Sequence, residues 1–594
     1  GESQLVDVWP DDPMGWGAGD LTYRFQWNFP IFFSPHDPNR LYTAAQVLFR
    51  SDDLGQSWTA MSGDLTRNDK SKQGASGGPI TKDNTSVEYY ATIFSAIESP
   101  HEAGVFWTGS DDGLIHISRD DGETWTNVTP PTLPEWTQIN GIDAHPTEPG
   151  GLYVAGTRYK LDDFRPYLYK TTDYGATWTE IADGIAEDHF TRAIRADPDR
   201  PGLLYAGTER GAYVSFDDGG RWQPLQVNLP IVPITDLAVK EGDLIAATQG
   251  RGFWILDDLS PLHQIESGQA TDAHRLYAPR TALRLPVGGF FRGGGGNAGT
   301  PAPDGVIFHY VIGGELAEED ALTLDILNSD GTVLRTFTRR PDEPKPRRPG
   351  QADDAVLDAD AGAARFAWDL RHRGPETFDG MVIWNRFLIG PQVTPGTYRA
   401  RLTVGEWSDE TTFEVALDPR SSTSADDLDA QLDFLLGVRD EITATHQAIG
   451  KVRTVREQIG TVEGRLGDDE SAYTEVREAI DGLNETLDAI EKALYQTQNE
   501  SPQDPLNFPI RLNDKLAGVY ATGLRGNFAP TAAMLAVRDS LLAAIHAELD
   551  RLETVWTDEL PALDALVREH AVPVFSIDDE DATDDEATSE TEAE

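Results

Sequence analysis

The stretch Ser118-Arg119-Asp120-Asp121-Gly122-Glu123-Thr124-Trp125 decides the fold, because its pattern, Ser/Thr-x-Asp-x-Gly-x-Ser/Thr-Trp, returns three more times. The other copies run from Ser51 through Asp53 and Gly55 to Trp58, from Thr171 through Asp173 and Gly175 to Trp178, and from Ser215 through Asp217 and Gly219 to Trp222. Only the last has Arg221 where the others have Ser or Thr. The chemistry is that of a hairpin turn: the carboxylate accepts backbone N–H bonds, the glycine takes positive φ, and the hydroxyl bonds locally. The tryptophan then buries a large ring between neighbouring sheets. Each copy follows a short apolar run, such as Gly104-Val105-Phe106-Trp107-Thr108-Gly109 or Gly202-Leu203-Leu204-Tyr205-Ala206-Gly207, so the repeated unit is a small strand meander.

Asp-to-Asp spacings of 67, 53 and 44 residues fit four-stranded blades with loops of unequal length. A degenerate fifth unit is expected at Leu244 to Ile255, and the aromatic-rich opening from Trp16 to Trp27 is read as a strand completing another. These residues are those of the Asp box, or bacterial neuraminidase repeat, and the segment resembles propellers of the sialidase and sortilin type. The resemblance implies that Asp53, Asp120, Asp173 and Asp217 shape turns away from the active face, and no catalytic residue is assigned.

Further runs, among them Gly15 to Asp20, Asn68 to Gly74, Gly78 to Asn84, Tyr159 to Pro166 and Gly250 to Asp258, are similar to a family of large prokaryotic exported proteins. Its members are labelled glycosyl hydrolase or sortilin N-terminal-domain proteins, and this chain looks like a haloarchaeal-type member. The likeness implies more propeller ahead of Gly1 and an extracytoplasmic or cell-surface location, with a cytoplasmic one left open.

With 100 Asp and Glu against 49 Lys and Arg, the formal charge is −51. Such a chain lacks the clustered cations that neutralise nucleic-acid phosphates. Acidity spread through every segment points to life at high salt, where counterions screen self-repulsion. With no cysteine, thiolate catalysis and Cys-ligated metal sites are excluded. The histidines show no HExxH pairing, so neither a metal site nor a cofactor is expected. No apolar run reaches the roughly 18 residues of a membrane-spanning helix.

Candidate binding residues come from loops. The loop from Gly74 to Tyr90 carries Lys82, Asn84, Glu88, Tyr89 and Tyr90, and with Arg24, Trp27, Lys160 and Asp163 it is read as a polar, aromatic-edged pocket at one propeller end. Arg158, Arg210 and Arg251 fall at similar places in successive blades, so they are candidates to line one face.

Beyond a Gly-rich linker at 263–300, residues 301–419 read as short strands of an immunoglobulin-like or fibronectin-like sandwich, with a disordered insertion from Arg339 to Gly362. Residues 424–572 turn helical, with Leu428, Leu435, Ile442 and Ile449 seven apart, and read as three long antiparallel helices. Self-association through this bundle is the alternative use of its stripes, and residues 573–594 read as a disordered acidic tail. The expected fold is therefore mainly β: an Asp-box β-propeller over 1–262, a β-sandwich, and a C-terminal helical bundle. The leading function is non-enzymatic binding of a protein, peptide or glycan. A sialidase-like glycoside hydrolase is the first alternative, and a structural surface component the second.

Overall fold

The computed structural model describes residues 3–266, 273–285, 302–339, 355–467 and 473–573, in two compact units, Gly1–Ala270 and Thr271–Glu594. The glycine run Gly288 to Gly296, most of the insertion after Arg339 and the acidic tail beyond residue 573 lie outside the described residues.

The first unit is propeller-like. Four four-stranded antiparallel sheets follow one another, each built in strict chain order, and a three-stranded sheet closes the series. Blade 1 comprises Ile31–Phe33, Leu41–Ala44, Leu48–Ser51 and Thr59–Ala60. Blades 2, 3 and 4 begin with Ile93–Glu98, Gln138–Ala144 and Thr191–Ala196, and blade 5 comprises Ile234–Lys240, Asp243–Thr248 and Phe253–Leu256. The first strands of blades 2 to 5 lie side by side in that order.

Every octapeptide joins the third strand of its blade to the fourth. In the second copy, Asp120 accepts from the Thr124 N–H at 2.9 Å and the Thr124 hydroxyl at 2.6 Å, while the buried Ser118 hydroxyl accepts from the Gly122 N–H at 2.9 Å. Two consecutive left-handed residues make the turn, Asp121 at φ 57° and Gly122 at φ 87°. Arg221 costs the fourth copy one bond: its N–H still reaches Asp217, with no hydroxyl to add.

Three of the tryptophans lock blades 2, 3 and 4 each to the one before. Trp125 Nε1 donates to Met61 O, Trp178 Nε1 to Val128 O, and Trp222 Nε1 to Ile181 O. Trp222 is 2% exposed; the other three are half-buried. Between blades 3 and 4, for example, Tyr153, Leu168, Ile194, Leu204 and Trp222 form one apolar cluster. The opening aromatics make no strand. Ala18–Asp20 is a turn of 3-10 helix, and Tyr23 and Phe25 pack on Phe49 of blade 1, so this segment caps the outer face of that blade.

In the second unit a three-stranded and a five-stranded sheet enclose one core containing Phe308, Leu324, Trp368, Leu402 and Phe413. The expected linker contributes two of these strands, Arg275–Leu276 and Ala282–Arg284, because buried Leu276 and Ala282 find seats in that core. Residues 355–361, expected to be disordered, are partly anchored: Leu357 pairs with Arg339 and is 3% exposed.

The helical region begins at Ser424, whose hydroxyl caps Asp427 N–H, and Ala425–Glu463 buries the predicted Leu428, Leu435, Ile442 and Ile449. Thr474–Leu494 and Ala532–Thr554 follow the remaining stripes. A fourth helix, Leu512–Gly523, was not expected, and Val555–Glu559 is a π-helical turn leading into Leu560–Glu569. No helix of the described residues is long and apolar enough to cross a membrane.

Candidate functional site

Topology sorts the loops of the first unit. In a four-stranded meander the second-to-third hairpin and the connection to the next blade share one end, while the octapeptide turn sits at the other. The end away from the octapeptides therefore collects residues 61–92 and 128–137 with the hairpins near Asp111, Arg158, Arg210 and Arg251.

A cleft of about 1000 Å³ is lined by all five first strands, through Ile31, Phe94, Asn140, Arg192 and Asp236 among others. Of the candidate residues, Trp27, Glu88, Tyr89 and Lys160 line it. Trp27 Nε1 donates to Glu88 at 3.4 Å, and the Tyr89 hydroxyl is 3.3 Å from both the Pro13 and Trp16 carbonyls, tying the cleft rim to the N-terminal segment.

A second cavity of about 370 Å³ shares Tyr90, Asp111, Gln138, Tyr159 and Lys160 with the cleft and adds Lys72, Trp136, Thr157 and Arg158. Tyr90 and Trp136 lie near-parallel, with centroids 6.3 Å apart. Arg67 stands 4.8 Å and Lys72 5.9 Å from the Trp136 ring. Trp136 holds φ 64°, a costly backbone state for a bulky residue. Gly113 permits it, since a Cβ there would meet Thr137 O at 2.9 Å.

Asp111, 5% exposed, accepts from the Thr92 N–H and hydroxyl at 2.9 and 2.8 Å. Burial nevertheless pushes its carboxyl up to about 7, helped by neighbouring Asp112 and opposed by Thr92 and Lys160. Burial also raises Asp112, which accepts from the Arg67 N–H.

Other predicted residues are engaged elsewhere. Arg24 is 3% exposed and bonds Asp64 at 2.7 Å and Ala91 O at 2.9 Å, so it stitches the core behind the cleft. Asn84 spends its amide on the Ser76 N–H and Gly15 O, shaping the long loop, and Lys82 sits in a bridge with Gly77 in that same loop. Asp163 is held by Arg158, Arg165 and the Tyr167 hydroxyl, and lies well below the usual carboxylate range because of the Arg165 bond first of all. Arg210 faces Asp188 at 3.6 Å. Neither Arg210 nor Arg251 lines the two cavities, so the three blade-related arginines form no triad there.

Asp111, Lys72, Trp136, Gln138 and Thr157 were missed. Aligning Gly109 with Gly156 and Gly207 by blade puts Asp111 at the position of Arg158, a signal that was open to reading. No group of three or more His, Asp or Glu residues is placed to hold a metal among the described residues.

No family model matches the chain, and no curated protein matches it. Solved structures align weakly. A GH74 xyloglucanase from Xanthomonas campestris is 19% identical over 39% of this chain and 36% of its own, at TM-score 0.30. An ancestral GH74 enzyme is 11% identical over 66% and 46%, also at 0.30. YCF48 bound to a D1 peptide is 15% identical over 40% and 64%, at 0.26. This chain thus spans less than two thirds of each of those chains, and at such scores the likeness carries no argument about its chemistry.

Proposed function

We propose that the chain is a non-enzymatic binding protein of the Asp-box, sortilin N-terminal-domain type, adapted to high salt and acting at or outside the cell surface. Its ligand, a glycan, peptide or protein segment, lies in the cleft at the end away from the octapeptides. The immunoglobulin-like layer and the helical bundle serve as spacer or assembly modules. The observation that carries this reading is the cleft itself: about 1000 Å³, touched by every blade and edged by Trp27, Tyr89, Tyr90 and Tyr159. Its lining sets these rigid rings among polar side chains such as Gln138, Asn140 and Arg192, which supply stacking faces and hydrogen bonds to one ligand.

The test is an array of glycans and peptides probed with the full chain in concentrated KCl, beside Trp27→Ala and Tyr159→Ala variants. Capture of one ligand class, weakened by both substitutions while folding is retained, supports the reading. Capture unaffected by either sinks it.

Asp111 favours a second reading, hydrolysis, because a carboxyl pushed up to about 7 is suited to donate a proton near neutrality. Release of reducing ends from a captured glycan, abolished in Asp111→Asn, would establish that chemistry instead.

A further inference from the structure

The guanidinium groups around the cleft are spoken for. Arg158 faces Asp163, Arg192 faces Glu209 at 2.7 Å, Arg195 faces Asp236 at 2.7 Å, and Arg67 faces Glu135 at 3.6 Å. The two ammonium groups of the smaller cavity are not. Lys160 donates to the Gln138 amide oxygen at 3.0 Å, and Lys72 lies by the Trp136 ring. Among the described residues neither makes an ion pair. In a chain with twice as many acids as bases, two such lysines converging on one pocket is a local inversion of charge.

The same pocket holds an orphan. Thr157 is 2% exposed, lines the cavity, and its hydroxyl has no hydrogen-bond partner. A buried hydroxyl left unpaired has given up its water without replacement, so a ligand group that pairs with it is favoured. The walls are flat rings fixed by neighbours: Tyr90 beside Trp136, and Tyr159 stacked on Phe190 at 5.0 Å and 15°. Burial keeps Asp111 partly protonated near neutrality, which lessens its repulsion of an anion.

Resting on the binding reading above, we propose that this cavity is a subsite for a carboxylated sugar ring, stacked against the aromatic walls with its carboxylate between Lys72 and Lys160. Rings give the apolar faces of a sugar a platform, and two ammonium groups give a carboxylate charge-assisted bonds that a neutral hydroxymethyl group cannot match.

The test is calorimetric titration of the full chain in concentrated KCl with oligogalacturonate, sialyllactose, carboxyl-reduced oligogalacturonate and oligoglutamate. Binding of one carboxylated sugar, at least about tenfold tighter than its neutral counterpart, is expected. The Lys72→Gln/Lys160→Gln double variant should lose that preference while melting like the parent, since both side chains are on exposed residues. Uronate against sialoside binding tells the two sources of the carboxylate apart. Equal binding of reduced and native oligosaccharide, or binding of oligoglutamate alone, overturns the sugar-acid subsite and leaves the cleft as a binding site. Failure of every ligand, array hits included, overturns both.

Discussion

Gly55 is seated on Val6: a Cβ added to that glycine would stand 2.9 Å from the Val6 Cβ. In later blades the equivalent glycines press on the residue just past the fourth strand of the preceding blade, Gly122 on Met61, Gly175 on Val128 and Gly219 on Ile181. Val6 thus fills for blade 1 the seat that a neighbouring blade fills for the rest.

These glycines separate two effects. Gly250 has φ 94° and nothing near its missing Cβ, so Gly250→Ala should cost about 1–2 kcal/mol from backbone strain alone. Gly175→Ala meets the same strain plus a Cβ 2.7 Å from Val128, and should cost about 3 kcal/mol. Chemical denaturation of the two variants reads the difference, and equal losses would deny the blade contact.

Replacing Asp120 by Ala removes its bonds to Thr124 and frees the Ser118 hydroxyl, so melting temperature should fall. Ligand capture by the folded variant should be unchanged, because the turn lies at the opposite end of the strands. Asp53, Asp120 and Asp173 are all lowered chiefly by side-chain hydroxyl bonds. Their stabilisation is therefore present above the ordinary carboxylate range and lost as pH falls through their folded values.

Asp111 runs the other way. With its folded value raised from 3.8 to about 7, folding favours the protonated form. Its contribution is intact below pH 3.8 and is lost as pH rises through about 7. Asp111→Asn should flatten the pH dependence of stability between those limits and raise stability above neutrality, by an amount on the order of a few kcal/mol at most. A parent and variant with parallel curves would contradict the burial assigned to this carboxyl.

In the second unit Asp514, 2% exposed, accepts from the Trp384 N–H at 2.8 Å, the Asn385 N–H at 2.9 Å and the Asn385 amide at 2.9 Å. Asp514→Ala orphans the two backbone donors, while the Asn385 amide keeps its bond to the Asp514 carbonyl, and should destabilise that unit by about 2–3 kcal/mol. Asp514→Asn, which keeps one acceptor, should lie between.

A charge of −51 predicts that melting temperature rises with KCl from about 0.1 to 3 M, as screening weakens self-repulsion. A protein more stable at low salt would refute adaptation to brine.

The blades were legible because Asp120, Gly122 and Trp125 sit in fixed register with strands whose alternation is local. The longer strands of the second unit's two sheets announced themselves in the same way, as did the heptad face through Leu428 and Ile449. What escaped depended on distance in sequence. Trp136 and Asp111 meet only after blades 2 and 3 pack, and Arg24 looked like a cleft residue until Asp64, 40 positions away, claimed its guanidinium. The strands Arg275–Leu276 and Ala282–Arg284 are too short for any period to mark, and only their partners make them strands.

The placement of octapeptide turns at one end of every blade and variable connections at the other has a consequence for how such a chain changes over time. The 32 residues from 61 to 92 and the ten from 128 to 137 join equivalent strands without altering the blades they join. Loop length is thermodynamically inexpensive, so the connections at one end can lengthen or be exchanged while the tryptophan locks at the other go on specifying the same scaffold. The molecule is in that sense a graft-ready frame, one in which the 61–92 segment can be exchanged without rebuilding the strands it joins.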